Sequence, residues 1–399
     1  MQTKTFSNLQ LKDEFLLDPE VIFLNHGSFG ATPRPVFESY QNWQRRLETQ
    51  PVKFLGREAG SLLAKSRTSL GRYLGTQADQ LVYVTNATTG LNIVARSLAL
   101  QPGDEVLTSD HEYGALDRTW KFLSKQLGFK YINQPIPLPL TSPAKFVEDL
   151  WTGVTPQTRV IFLSHITSPT AVIFPVEEIC QRARQMGILT IIDGAHAPGQ
   201  IPLALDQLGA DFYSGNLHKW LCAPKGSAFL YARPEVQHLI QPLTVSWGWE
   251  SENPGISQFV DYLEWAGTRD ISAFLAVPDA ISFQLAHSWD AIRAECHLLA
   301  ANTQNEIARL TRLAPLHSPD PYWFMQMASS PLPTHIDPLW LKEALYDRFH
   351  IEVPVMKWKD QVLIRYSFQA YNSLADSEAL IQALEILLAE KAPPHSVVP

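Results

Sequence analysis

Residues 188–231 read ILTIIDGAHAPGQIPLALDQLGADFYSGNLHKWLCAPKGSAFLY. Three apolar runs, at 188–192, 211–214 and 227–231, have strand length and are separated by glycine, proline, serine and asparagine, the residues that make turns. The first ends on Asp193-Gly194-Ala195-His196 and the second on Gly215-Asn216-Leu217-His218-Lys219-Trp220. Strands of this kind, buried on both faces, belong to mostly parallel sheets. Such sheets bind ligands beyond the carboxyl ends of their strands, where this chain carries an acid, two histidines and a lysine.

The same rhythm extends upstream. Strand-like runs at 81–85, 105–108 and 159–164 alternate with helical windows at 87–100, 115–126 and 176–186. This pattern predicts an α/β fold, a mostly parallel sheet with helices on both faces. Downstream of residue 270 helical windows dominate, at 271–287, 289–311, 338–349 and 376–390, with short apolar runs at 322–327 and 362–366 between them. We expect a smaller α+β domain there. A stretch rich in glycine, serine and tryptophan at 247–255 reads as a loop. A chain of 399 residues exceeds what one hydrophobic core normally supports. The expected division is an N-terminal segment 1–20, a large domain 21–270 and a small C-terminal domain 271–399.

Charge and cysteine content narrow the partners. The formal net charge of −8 opposes binding to nucleic acid or an anionic membrane surface. No apolar run reaches the roughly 18 residues of a membrane span, and the N-terminus lacks a signal-peptide core. Three cysteines, Cys180, Cys222 and Cys296, do not suit a disulfide framework, so a reducing, cytoplasmic setting is expected. No HExxH, CxxC, GxxxxGK[ST] or dinucleotide-binding glycine fingerprint is present, and no metal is expected.

The strand ends supply the chemistry. After the run at 81–85 comes Asn86-Ala87-Thr88-Thr89-Gly90, opening a helix. Free backbone N–H groups and hydroxyls at a helix start suit a phosphate, or simply a helix cap. Asp193, ending a buried strand, needs a cation or a turn to cap. Lys219, on a short loop, is either a surface lysine or an amine whose pKa falls through desolvation so that it can form an imine. Each taken alone has a plain structural explanation. Their order, a phosphate cup, then an aromatic, then an acid, then a lysine, follows successive strand edges.

These residues resemble a known family. The run DGAHAPGQIPL…GADFYSGNLHKWLCAPKGSAFLY is similar to the signature of class V aminotransferase-fold enzymes that use pyridoxal 5'-phosphate (PLP). That family includes cysteine desulfurases, isopenicillin N epimerases, kynureninases and C–S lyases. FLNHGSFGATPRPV and SHITSPTAVIFPVEEI resemble the isopenicillin N epimerase-like branch, and the likeness spans roughly residues 20–375. It implies the PLP-dependent transferase fold type I and the following roles. Lys219 carries the cofactor as a Schiff base and moves the Cα proton. Asp193 pairs with the pyridine nitrogen, so the ring can accept electrons. His196 lies near the ring hydroxyl. Ala87 and Thr88 hold the phosphate with Asn216 and His218, although relatives often have serine where Asn216 stands. Tyr113, after Glu112, stacks on the ring where desulfurases have histidine. Thr268, in Trp265-Ala266-Gly267-Thr268, reaches the phosphate of a partner subunit in a homodimer with shared sites. Arg365 grips the substrate α-carboxylate with its planar fork. Asn25, with His26, lines the same end of the pocket.

Two departures matter. The stretch 350–364 contains no cysteine where desulfurases place their nucleophile, and Cys296 falls far upstream, which argues against a persulfide-forming desulfurase. Ser168 stands where many relatives have asparagine near the ring. The resemblance therefore implies an isopenicillin N epimerase-like enzyme acting at Cα of an amino-acid substrate. The alternatives are a C–S β-lyase on cysteine, cystine or cysteine conjugates, an aminotransferase, and a scaffold that has lost catalysis.

Overall fold

The structure is a computed structural model that describes residues 11–391. Residues 1–10 of the expected N-terminal segment and 392–399 of the expected C-terminal domain lie outside the described residues. A two-residue strand, β1 (Ile22–Phe23), pairs far downstream with β10 (Ile351–Glu352) in parallel. The main sheet is built from β2 (Leu81–Val84), β3 (Glu105–Ser109), β4 (Lys130–Gln134), β5 (Thr158–Ser164), β6 (Leu189–Asp193), β7 (Phe212–Asn216) and β8 (Ala228–Ala232). Their spatial order is β2-β8-β7-β6-β5-β3-β4, and β8 alone runs against the rest.

Side chains alternate between the two faces along each strand, as the pleat requires. Val82, Val160, Phe162, Ile191, Phe212 and Leu230 enter one apolar core, with Trp120 and Val94 from the helices that cover it. Leu81, Tyr83, Ile161, Leu163, Ile192 and Tyr213 enter the other. Burial on both faces explains why these strands read as continuous apolar runs. The edge strand β4 escaped the sequence reading for the opposite reason: KYINQ is half-buried and carries little apolar signal.

The C-terminal sheet is antiparallel, in the order β11 (Val355–Trp358), β12 (Gln361–Ser367), β9 (Met327–Leu332). The apolar run expected at 322–327 is mostly turn, and the strand begins at Met327. Helices Trp289–Thr311 and Pro338–Phe349 lie where the periodicity placed them. The window at 271–287 is instead two helices, Ser272–Leu275 and Val277–Ala286, with Pro278 in the first turn of the second. Helices Arg34–Thr49, Ala59–Leu74 and Pro143–Trp151 went unread in the sequence.

Because β2, β3, β5, β6 and β7 share one direction, their carboxyl ends meet at one edge of the sheet. That edge brings Asn86, Tyr113, Ser164, Asp193 and Lys219 together.

Candidate active site

A cavity of about 510 Å³ opens at this sheet edge. Its wall includes Ala87, Thr88, Tyr113, Asp193, His196, Asn216, His218 and Lys219, all anticipated above, together with Ser28, Phe29, Ser164, Ile166 and Ser168.

Lys219 sits in a tight loop after β7. Leu217 N–H donates to Ser227 O at 3.0 Å, Ala223 N–H to Leu217 O at 3.0 Å and Cys222 N–H to Lys219 O at 3.0 Å. Gly30, at φ +70°, presses on this loop: a Cβ there would lie 1.9 Å from His218 O. Lys219 Nζ lies 3.1 Å from His196 Nε2. Burial lowers the Lys219 pKa, Arg365 lowers it further, and Asp193 opposes both. Burial raises the Asp193 carboxyl, while the Ala195 N–H, at 2.9 Å, and Lys219 hold it down. Trp220 Nε1–H donates to His196 Nδ1 at 3.3 Å.

At the helix start, Asn86 is the cap: its Oδ1 accepts from Thr89 N–H at 2.8 Å. The N–H of Ala87, expected to meet a phosphate, donates to Asn216 Oδ1 at 2.8 Å. Asn216 is thus engaged with the helix start itself, and Thr88 is the first-turn residue that neither contact uses. His218 Nδ1 lies 3.1 Å from Ser227 O. A carbonyl only accepts, so Nδ1 carries the proton and Nε2 donates to an anion only when the ring is protonated. Burial, then Lys219 and Lys225, lower His218 to about 4, although the Ser227 bond works the other way.

Arg365, on β12, is buried. Its Nη1 donates to Ser168 O at 2.6 Å and Ser168 Oγ at 3.1 Å, and its Nη2 to Ser28 Oγ at 3.1 Å. Its Nε has no partner, and no carboxylate lies within ion-pair distance among the described residues. Burial lowers it to about 10, which leaves it charged at neutral pH. Ser28 and Ser168, rather than Arg365 itself, form the cavity wall.

The residues around the cavity lie as follows. Asn25 does not reach the cavity wall. Ser28 Oγ donates to its Oδ1 at 2.5 Å, and its Nδ2 donates to Glu352 Oε1 at 2.9 Å, so it steadies Ser28. His26 turns into the core, between Lys219 O and the Tyr371 hydroxyl, each 3.0 Å away. Thr268 is exposed in a bend and is absent from the cavity wall of the single chain. Glu112, given no role above, is half-buried, and the desolvation of its carboxyl raises it to about 7. Its carboxyl accepts from Ser109 Oγ at 2.6 Å and from both the N–H and Oγ of Ser164 at 2.7 Å. SHITSP at 164–169 and NHGSFG at 25–30 were the only sequence signals for Ser164 and Ser28.

The donor set suits one kind of group. A half-buried amine and a buried carboxylate lie on the cavity wall, and a buried guanidinium stands behind two of its serines; none of the three is ion-paired among the described residues. A helix first turn opens beside them. A group bearing an aldehyde, a basic ring nitrogen and a phosphate complements the first, the second and the helix start, and leaves the guanidinium for a carboxylate.

Comparisons with known proteins agree. The profile of the family described as Aminotransferase class-V matches residues 22–380. The isopenicillin N epimerase of Amycolatopsis lactamdurans is 37% identical, covering 94% of this chain and 97% of its own length. That of Streptomyces clavuligerus is 34% identical, covering 96% and 98%. The apo structure of a cysteine desulfurase from Thermococcus onnurineus NA1 superposes with a TM-score of 0.82 at 21% identity, over 98% of this chain and all of that one, a likeness of fold alone.

Proposed function

Because the chain belongs to the class-V aminotransferase family, we propose that it acts at Cα of an amino-acid substrate as an isopenicillin N epimerase-like enzyme, with Lys219 as the group that moves the Cα proton. It is a pyridoxal 5'-phosphate enzyme of fold type I. When bound, the cofactor supplies an electron sink for the bond that breaks. Lys219 would anchor it, and Asp193, facing the ring nitrogen, would gain the cation it lacks. Thr88, with the helix start, would hold the phosphate, helped by Asn216 and by His218, whose Nε2 gains a proton only as the phosphate's charge offsets the burial and the lysines that keep the ring neutral. Tyr113, 43% exposed in the cavity wall, would cover the ring and is the candidate proton donor for the second face, which inversion requires. Arg365 would exchange its serine partners for the α-carboxylate.

One observation carries this reading: an amine and a carboxylate on the cavity wall, with a buried guanidinium bonded to two serines of that wall, gather without ion-pairing to one another among the described residues. In D2O, the holoenzyme should exchange the Cα hydrogen of a substrate amino acid and yield the opposite enantiomer, both visible by NMR and chiral chromatography. Pyruvate, ammonia and cysteine persulfide from cystine, without inversion, would favour the C–S lyase reading. A keto acid formed with cofactor conversion would favour transamination.

The larger arrangement belongs to the same reading. We infer a homodimer in which Thr268 of the partner subunit completes the phosphate end, since the single chain leaves its own Thr268 exposed. A domain boundary near residue 270 is supported by the separate antiparallel sheet that follows it. A cytoplasmic location is supported by three free, buried cysteines. Among the described residues no helix is long and apolar enough to cross a membrane.

A further inference from the structure

We propose that Trp220 is a positioning residue that fixes His196 as its Nε2–H tautomer and thereby holds Lys219 as the free amine. The inference rests on the reading of Lys219 as the reactive amine and adds to it a reason for the residue that follows.

An indole N–H can only donate. Trp220 Nε1 lies 3.3 Å from His196 Nδ1, so Nδ1 presents its lone pair and the proton of the neutral ring sits on Nε2. That Nε2–H faces Lys219 Nζ at 3.1 Å. An ammonium has three donors and no acceptor, so the contact is a hydrogen bond only when Lys219 is unprotonated. The doubly protonated imidazolium does not resolve the conflict, because burial, Lys219, Arg365, His218 and His26 all oppose it. The charged groups acting on Lys219 from the other elements are Arg365 on β12, which favours the free amine, and Asp193 at the end of β6, which favours the ammonium. His196 and Trp220 add weight to the first side.

The indole cannot swing away. Trp220 is fully buried. Gln284 Nε2 donates to its carbonyl at 2.7 Å, and the His26 ring lies 5.0 Å from its own. Gly199, at φ +89°, lets the turn after His196 close on this backbone: a Cβ there would stand 2.3 Å from the Trp220 carbonyl carbon and oxygen. Gly199, three residues after His196, and Trp220, directly after Lys219, therefore serve one contact.

Two measurements test this on the full-length chain. In ¹⁵N-histidine NMR, the His196 signal, identified by its loss in His196→Gln, should show a protonated Nε2 and an unprotonated Nδ1. The opposite tautomer would overturn the proposal, and the native chain suffices for this measurement even where a variant folds poorly. In chain stripped of cofactor, covalent labelling of Lys219 across pH, read by peptide mass spectrometry, gives the midpoint of its reactivity. Trp220→Phe should raise that midpoint by about one pH unit, which for an amine starting at about 7 is about a fivefold loss of reactivity at neutral pH. In the His196→Gln background, whose amide has fixed donor and acceptor ends, the same change should do little. An equal shift in both backgrounds, or none in either, would sink the proposal. Failure of the PLP reading looks different: the native chain would take up no pyridoxal phosphate at Lys219, whatever the tautomer of His196.

Discussion

Lys219 and Arg365 are both basic side chains drawn out of water without an ion-paired acid among the described residues, yet the protein treats them in opposite ways. The lysine sits on a loop pinned by main-chain hydrogen bonds and by the close approach of Gly30, with a histidine nitrogen at 3.1 Å. The arginine is held by two serines and one carbonyl, all replaceable by a ligand oxygen. Desolvation acts on both. An ammonium can shed its proton in response, whereas a guanidinium lowered to about 10 stays charged. On the proposed reading, one desolvation pressure would yield a neutral base at one end of the site and an anion clamp at the other.

The comparison breaks first at the lysine. Lys219→Ala should abolish cofactor-derived visible absorbance and reduce turnover by about 10⁴-fold, the upper end of what one positioned proton-transfer group contributes. A variant that keeps both would show that another amine does the work. Arg365→Lys comes next. It keeps the charge and loses the fork, so KM for an α-carboxylate substrate should rise about 100-fold, the worth of one or two hydrogen bonds to a charged group. Turnover of bound substrate should change far less. An equal loss in kcat would place Arg365 in the chemical step instead.

The pressure on the lysine should also appear in stability. Its pKa is lower folded than unfolded, so folding releases a proton, and the folded state gains as pH rises from the folded pKa toward the unfolded value of about 10.4. Thermal melts of cofactor-free chain should show native protein gaining on Lys219→Met as pH rises from neutral to about 9, by at most about 1.4 kcal/mol per pH unit. Parallel curves would mean that Lys219 remains an ammonium in the fold.

How much of this the sequence disclosed depended on which physical signal each part left behind. The buried strands were legible because both faces are apolar, and the groups at their ends were legible by their order: Asp193, His196, His218 and Lys219 all reach one cavity. The helix Trp289–Thr311 was legible from periodicity alone. Contacts that depend on tertiary approach were not. Nothing in the sequence says that Asn25 stops at Ser28, that His26 turns inward to the Lys219 carbonyl, or that Asn216 takes the Ala87 N–H. The edge strand Lys130–Gln134 was lost because a half-exposed strand has no strong pattern to show. Thr268 marks another boundary, since one chain cannot show what two would build.

The smallest expected effect probes the replaceable half of the comparison. Ser168 supplies both a main-chain oxygen and a hydroxyl to Arg365 Nη1. Ser168→Ala removes the hydroxyl alone and leaves the 2.6 Å bond to the carbonyl, so the guanidinium should keep its place. The lost hydrogen bond is worth about 1 kcal/mol, a change of about fivefold in substrate affinity. Its direction is informative. If substrate displaces the serine hydroxyl, the alanine variant has less to displace and should bind the carboxylate more tightly. If the hydroxyl stays and steadies the fork, binding should weaken. Isothermal titration with a carboxylate inhibitor would decide between an arginine that waits on temporary partners and one already set for its ligand.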